Sequence, residues 1–505
     1  MDGPAPLLVE RIREHARTNP DGLAARAPGG ELTMAGLAAR AERIAARLRE
    51  EGCVPGDRIV VLGRPSLAWI EMMMGAGFAR LGFAPVSTSL KPDEFKGILA
   101  DAGPKLVFAD ADLAGQGGCP AGRTVLLDDL DQWIAAGPGA GEPDTPQGDD
   151  LFSIIYSSGT TGVPKGIAHT AAGRAEFVHG RARPSLQPGK TAWVSTSLYT
   201  NLSYLGMFSP LYWGAAISVP ERFTVEGFLA ACREEAITET SLVPVQVRRI
   251  LEHPDFAPQA IASLEFTMMT GSPVDLAVKR RLAEVWPGTI VDAYGTTETG
   301  GIATLNIKTE PDRLETVGRI IAEVEAAILD EDGEVLPAGA IGEIAAVTPR
   351  PMTGYFNRDD LTADATWRDG QGRRFIRTGD VGFIDADGYL HITGRSKDMI
   401  ISGGLNIFAI DIEEVLIGHP AVLEAAVIAV PSERWGESPH AVVALREGES
   451  ATADGLMAWL GPRLARTHWP VGIDFVTELP RNALGKVLKR ELRAPFWAGR
   501  DREVA

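Results

Sequence analysis

At 505 residues the chain exceeds one ordinary domain of roughly 100 to 200 residues, so two or more compact units are expected, and 45% apolar against 23% charged residues argues against a disordered chain. A formal charge of -18 argues against a broad nucleic-acid footprint, which needs a net basic face. The three cysteines, Cys53, Cys119 and Cys232, are widely spaced and form no CxxC pair, which points away from a disulfide framework or zinc cluster and toward a reducing, cytoplasmic setting.

The opening MDGPAPLLVERIREHARTNP mixes charges with its apolar residues and does not read as a secretory signal. From Leu32 to Leu48 apolar residues recur at helical spacing (Leu37, Ala41, Ile44, Leu48), and DRIVVLG from Asp57 reads as a buried strand. WIEMMMGAGFARL then leads into FAPVSTS, and KPDEFKGILADAG into KLVFAD, an alternation that predicts α/β layers with mostly parallel strands. The apolar run from Trp69 is broken by Glu71 and Arg80 and is too short to be a membrane span. Asp112 to Asp150 is rich in Gly, Pro and Asp and is expected to be a solvated connection before the strand LFSIIYSS. Further α/β signals run to about Gly318; after them ILDEDGEVLPAGAIGEIAAV and VGFIDADGYLHITG carry Asp-Gly turns between short strands. Beyond Arg395, AIDIEEVLIGHP, LEAAVIAV, HAVVALRE, DGLMAWLGPRLAR and GIDFVTEL predict a separate, small α+β unit.

The stretch YSSGTTGVPKG (Tyr156 to Gly166) offers backbone N–H groups, hydroxyls and one lysine, the ingredients of a phosphate cradle. It is not a Walker loop, since Pro164 precedes Lys165 and Gly166 follows it; an ordinary Ser/Gly turn would also account for it. Four further motifs follow in order: YGTTETGG from Tyr294, RTGDVG from Arg377, GRSKDMIISGGLNI from Gly394 and PRNALGKVLKREL from Pro480.

With these motifs in this order the chain resembles the acyl-adenylate-forming superfamily: acyl- and aryl-CoA synthetases, adenylation domains of peptide synthetases, and beetle luciferases. It is most similar in motif to benzoate- and hydroxycinnamate-type CoA ligases. The resemblance implies a large N-terminal AMP-binding domain of layered α/β subdomains plus a small β-barrel, residues 1–395, and a small mobile α+β C-terminal domain, residues 396–505. It implies that Ser157, Ser158, Gly159, Thr160, Thr161, Gly162 and Lys165 hold the β- and γ-phosphates of ATP, and that Glu298, beside Thr297, ligates Mg2+. By the same resemblance Tyr294 stacks on adenine, Asp380 and Arg395 hold the ribose, and Lys486 reaches the acyl carboxylate and α-phosphate. Lys397 sits at the expected hinge, Gly403 and Gly404 by the expected pantetheine channel, and Trp435 and Arg434 by CoA.

The chemistry agrees with such roles: joining two anions calls for cations and oriented donors rather than a nucleophilic side chain, and a carboxylate suits a hard cation. Candidate acyl-pocket residues are Tyr199, Asn201, Tyr204, Gly271, Ser272, Gly295 and Gly301, each also explicable as ordinary packing. Two departures stand out. SLYTNLSYLG puts Tyr199 or Thr200 where related chains often have a histidine, and RTHWPVG from Arg466 lacks a lysine-rich tract common in CoA ligases. The leading expectation is an ATP-dependent acid–CoA ligase, a monomer or homodimer with no nucleic-acid partner and no membrane span. Because no basic residue is evident at the pocket, its acid is expected to be a neutral-tailed aromatic or medium-chain one. The alternatives are an enzyme that loads a carrier-protein phosphopantetheine and a non-catalytic AMP-binding regulator; the presence of Lys165, Glu298, Asp380 and Lys486 disfavours the last.

Overall fold

The computed structural model describes residues 4–115, 118–137, 139, 144–157, 165–403, 405–482 and 485–498. Packing divides the chain into two compact units: Met1–Leu314 with Ile321–Glu325 and Val347–Ile376, and Glu315–Ile320 with Ala326–Ala346 and Arg377–Ala505. The fold class is the expected α/β one, with a large N-terminal and a smaller C-terminal part. The expected division at 395/396 concerns where a swing would pivot, which packing does not address.

In the first unit, one sheet runs in spatial order Gly300–Asn306, Thr289–Thr296, Phe266–Met269, Glu239–Leu242, Thr191–Val194, Ala216–Ser218, Leu23–Ala27, Gly30–Thr33. Its inner pairings are parallel, and the Gly300–Asn306 and Gly30–Thr33 strands join antiparallel. A second sheet runs Gly354–Tyr355, Lys165–Thr170, Leu151–Ser157, Gly82–Pro85, Arg58–Leu62, Leu106–Ala109, Thr124–Leu126. The sequence pattern explains the elements. Thr33 caps the helix Met34–Glu50 by accepting from Gly36 N at 3.0 Å, and Leu37, Ala41, Ile44 and Leu48 bury its apolar face. Helix Leu67–Phe78 is capped by Ser66 and buried on nearly every side, including Met72, Met73 and Met74, which is why its sequence is apolar all round. Among the described residues no helix is long and apolar enough to cross a membrane.

One expectation is corrected. The stretch from Asp112 to Asp150 is not only a solvated connection: Thr124–Leu126 adds a parallel edge strand beside Leu106–Ala109, and Leu130–Ala135 is helical. Leu127, Leu130 and Ile134 within it are buried, so burial of a short apolar run outweighed the surrounding Gly and Pro.

The second unit holds most of the strands Gly342–Val347, Arg374–Ile384 and Leu390–Arg395. The Asp-Gly turn between the last two is fixed by Asp385 Oδ1, which accepts from Asp387 N at 3.0 Å and Tyr389 N at 2.9 Å. Further on, the long strands Val422–Ser432 and Gly436–Leu445 pair antiparallel, Ile473–Val476 lies parallel to the second, and helix Ala409–Ile417 covers the sheet through Ile412 and Leu416. Sequence reading gave these elements but not the hairpin Ile400–Ser402 with Leu405–Ile407, nor the helix Lys489–Trp497, whose internal Pro495 masks it.

Candidate active site

In the first unit the sequence-predicted residues gather at the carboxyl ends of parallel strands, the usual place for a ligand on an open α/β sheet. Tyr199 and Asn201 follow Thr191–Val194, Gly271 and Ser272 follow Phe266–Met269, and Tyr294 and Gly295 end the strand Thr289–Thr296. Ser157 closes Leu151–Ser157, and its register partner across the antiparallel pair is Lys165. Ser158, Gly159, Thr160, Thr161 and Gly162 lie outside the described residues, as does Gly404. The strand ends that flank the loop, Ser157 and Lys165, are adjacent.

Thr297 and Glu298 sit on a turn between two antiparallel strands, and two threonines lock it. Thr296 N donates to Thr299 Oγ1 and Thr299 N to Thr296 Oγ1, both at 3.1 Å, while buried Thr348 donates to Thr299 O at 2.6 Å. Gly295 is required beside it, because a Cβ there would run into the Gly300 carbonyl. Met352 N donates to Glu298 O at 2.7 Å. The turn thereby holds the Glu298 carboxylate in place.

That carboxylate meets a residue the sequence reading missed. Tyr355 Oη donates to Glu298 Oε1 at 2.9 Å, and Lys165 Nζ lies 5.4 Å from the centroid of the same ring. Burial, and then Glu298, push the Tyr355 hydroxyl well above the usual phenol range, so it stays a donor. Lys165, Tyr355 and Glu298 thus form one cluster. Among the described residues no group of three or more His, Cys, Asp and Glu is placed to hold a metal. A single carboxylate with one oxygen taken by Tyr355 fits Mg2+, which keeps most of its waters and is shared with substrate phosphates.

A buried polar chain runs behind this cluster. His169 Nε2 lies 3.1 Å from Thr297 O, and its Nδ1 lies 3.3 Å from Arg174 Nη2. With Arg174 as donor, Nδ1 accepts and Nε2 carries the proton to Thr297 O; burial, then the Arg174 charge, keep the ring neutral. Arg174 also donates to Ser153 Oγ at 3.1 and 3.0 Å and to Asn201 Oδ1 at 2.6 Å, and its guanidinium sits 5.1 Å from the Tyr204 ring centroid. Burial lowers Arg174 to about 10. Asn201 is therefore fixed by an arginine, whereas Tyr204, 0% exposed, packs edge-on against Phe208 in the core. Sequence reading missed Arg174, although an arginine among Ala171, Ala175, Phe177 and Val178 on one helix was a signal.

Basic charge also reaches the candidate pocket. A Cβ on Gly301 would lie 3.7 Å from Arg181 Nη2 and 3.3 Å from Ile321 Cδ1. The expectation that no basic residue stands there is corrected: Arg181 follows a helix end, and its side chain turns back over Phe177, 4.7 Å from the ring centroid.

In the second unit three predicted residues come together. Asp380 and Arg395 are register partners on adjacent strands, and Arg395 Nε donates to Asp380 Oδ1 at 2.7 Å. Asp380 is 6% exposed; its N–H donates to Thr378 Oγ1 at 3.0 Å, and Thr378 donates to Ile344 O at 2.8 Å. Gly379 takes the left-handed φ of 71° that turns this segment. Lys486 is carried by a tight loop, with Lys486 N on Asn482 Oδ1 at 3.0 Å, Asn482 N on Lys486 O at 2.9 Å and an Arg481–Glu424 ion pair at 2.7 Å. Burial, then Arg395, lower the Lys486 ammonium from 10.5 to about 8, against the opposing pull of Asp380 and Asp398. The cations of the helix Lys489–Trp497 that follows include two with carboxylate partners: Lys489 pairs with Glu413 at 2.6 Å, and Arg493 pairs with Asp398.

Gly403, Arg434 and Trp435 form another cluster in that unit. Gly403 N donates to Trp435 O at 2.8 Å, a Cβ on Gly403 would lie 2.6 Å from Trp435 Cε3, and Arg434 lies 4.5 Å from the Trp435 ring centroid. The indole is 48% exposed. Lys397, the expected hinge, is exposed, and its carbonyl accepts from Arg493 Nη1 at 3.3 Å.

The AMP-binding enzyme family model matches residues 12–356, and the AMP-binding enzyme C-terminal domain model matches residues 411–486. The chain is 31% identical to the fatty acid–[acyl-carrier-protein] ligase ScoC of Streptomyces coeruleorubidus, over 98% of each chain. It is 34% identical to a feruloyl-CoA synthase of Amycolatopsis sp, over 95% of this chain and 97% of the relative. The crystal structure of ATP-bound MatB from Rhodopseudomonas palustris superposes with a TM-score of 0.88 at 27% identity, covering 97% of this chain and 99% of that one. A Glu298 turn, an Asp380–Arg395 pair with Lys486 beside it, and both family models along one chain lead to one assignment: the chain belongs to the AMP-binding enzyme family, as an ATP-dependent, AMP-forming ligase of the acyl- and aryl-CoA type.

Proposed function

We propose that the enzyme joins a carboxylic acid to the thiol of CoA in two steps. A carboxylate oxygen attacks the α-phosphorus of ATP, the bond to the β-phosphate breaks and pyrophosphate leaves; the CoA sulfur then attacks the acyl carbonyl and AMP leaves. The observation that carries this reading is the convergence of Lys486 on Asp380 and Arg395, with a charge environment that lowers the lysine to about 8. An ammonium so placed stabilises negative charge developing between two anions, a kind of interaction worth about 10²-fold or more in rate.

In this reading Asp380 and Arg395 hold the ribose, Tyr294 stacks on adenine, and Ser157 to Lys165, with the loop between them, retain the β- and γ-phosphates as the leaving group. Glu298, beside Thr297, holds Mg2+, which supplies charge neutralisation on those phosphates. Tyr199, Asn201, Gly271, Ser272, Gly295 and Gly301 line the acyl pocket; Tyr204 supports it through Arg174. The 396–505 segment swings about Lys397 between the two steps, and Gly403, Gly404, Trp435 and Arg434 receive the CoA arm.

A carrier-protein phosphopantetheine is the second acceptor, favoured by the likeness to ScoC and by the RTHWPVG segment. The neutral tail expected for the acid rested on an absence of basic residues, and Arg181 removes that support. The deciding experiment measures pyrophosphate and AMP release over a panel of acids, with and without CoA. No acid-dependent release refutes the ligase reading. AMP turnover that is flat with CoA and rises with a phosphopantetheinylated carrier selects the second acceptor.

A further inference from the structure

Three arginines meet where the helix Ala171–His179 ends: Arg181, Arg183 and Arg350. The first is felt electrostatically by both of the others. Arg183 has its counter-ion, since Nε donates to Glu239 Oε2 at 2.8 Å and Nη2 donates to Oε1; Ser185 Oγ donates to Oε2 at 2.7 Å. Glu239 is thereby fully engaged. Neither Arg181 nor Arg350 has a carboxylate partner among the described residues.

Arg181 is half-buried. Its Nε donates to Phe177 O at 3.2 Å, which caps the last turn of the helix. Its Nη1 meets only the Met268 sulfur at 3.8 Å, a weak acceptor, and its Nη2 faces Gly301. Arg350 Nε is buried without a partner, and the Arg350 carbonyl would lie 3.7 Å from a Cβ on Gly300. Burial, then Arg183 and Arg350, lower Arg181 to about 10 against the opposing pull of Glu239. Helix capping needs one N–H and uses Nε alone. It leaves the Nη1–Nη2 edge, the fork that matches a carboxylate with two parallel hydrogen bonds, turned to a glycine face of the candidate pocket. Glu239 is felt by Arg181 but is already bonded to Arg183 and Ser185, so two half-buried cations with no directly paired carboxylate among the described residues are costly unless a further anion joins them.

We propose that Arg181, with Arg350 adding positive field, receives a second carboxylate of the acid, so that the substrate class is dicarboxylic acids. This rests on the ligase reading above and names the substrate of that same pocket.

The test measures specificity constants for acid-dependent pyrophosphate release with matched sets: adipate, its half-amide and hexanoate; isophthalate, its half-amide and benzoate. In at least one set the diacid is expected to exceed its half-amide by about 10²-fold. Arg181→Gln is expected to collapse that ratio toward unity, and Arg181→Lys to restore part of it. Because the readout is a ratio within one variant, partial loss of folding does not move it. Monoacids or half-amides turned over as well as the diacids by the unaltered enzyme overturn this inference and leave the ligase reading standing. So does an equal loss for diacid and half-amide in Arg181→Gln, which assigns the arginine to helix capping. No release with any acid overturns the ligase reading and this inference with it.

Discussion

Raising the pH through about 8 is expected to switch off acyl-adenylate formation, because that is where the Lys486 ammonium loses its proton. The sign follows from the charge needed. The protonated lysine stabilises the transition state, so activity is full below the lowered value and falls as pH rises through it. With a value of about 8, about nine-tenths of the lysine is charged at pH 7 and about one-tenth at pH 9, so the basic limb falls about tenfold per pH unit. An unperturbed lysine would put this limb near 10.5. The assay is the pH profile of kcat/KM for acid-dependent ATP–pyrophosphate exchange, which reports groups of the free enzyme. Lys486→Arg keeps a charge that does not titrate in this range and is expected to retain weak activity without the limb. Lys486→Ala is expected to lose adenylation while still forming thioester from supplied acyl-AMP. The reasoning is refuted if the limb persists in Lys486→Arg, or if thioester formation from supplied acyl-AMP shows the same limb.

Removing the Tyr355 hydroxyl with Tyr355→Phe frees one Glu298 oxygen; stability should fall by about 1 kcal/mol in a denaturant titration, and the Mg2+ concentration for half-maximal exchange should rise about tenfold. Gly295→Ala places a Cβ against the Gly300 carbonyl, so thermal unfolding should show a loss of about 2 kcal/mol or more together with loss of exchange activity. Gly403→Ala meets both a φ of 57° and the Trp435 ring at 2.6 Å; a cost of about 1 to 2 kcal/mol is expected, and thioester formation should fall more than pyrophosphate release. A larger fall in pyrophosphate release would place Gly403 outside the thiol channel.

The alternation of helix and strand was legible because its signals are local. Thr33 before Met34 and Ser66 before Leu67 announce helix starts, and Gly103 ends Pro92–Ala102 in the left-handed region at φ 52°. The Asp385 turn could likewise be read from Asp-Ala-Asp-Gly. Where reading failed, the deciding contact was distant in sequence. Thr124–Leu126 is a strand because Leu106–Ala109 accepts it, and Tyr355 matters because a turn carrying Glu298 lies within reach of its hydroxyl. Nothing within several residues of Tyr355 carries that information.

Arginine shows the limit most sharply. The letters give 49 basic residues against 67 acidic ones, so a cation in this chain is expected to find a carboxylate. Arg64 does, with Asp110 and Asp112; so do Arg80 with Asp150 and Arg183 with Glu239. The apolar neighbours of Arg174 on its helix hint at burial, but no residue type or spacing separates Arg181 from these. Arg174 has its hydrogen bonds supplied by Ser153, Asn201 and His169, which makes it a positioning group with a full set of neutral partners. Arg181 has one carbonyl and one sulfur. In an acid-rich chain, that shortage is informative: the fold satisfies the buried Arg174 with three neutral acceptors, and leaves the half-buried Arg181 facing Gly301 with no oxygen acceptor on its bidentate edge. A ligand carboxylate is the anion whose geometry that edge fits.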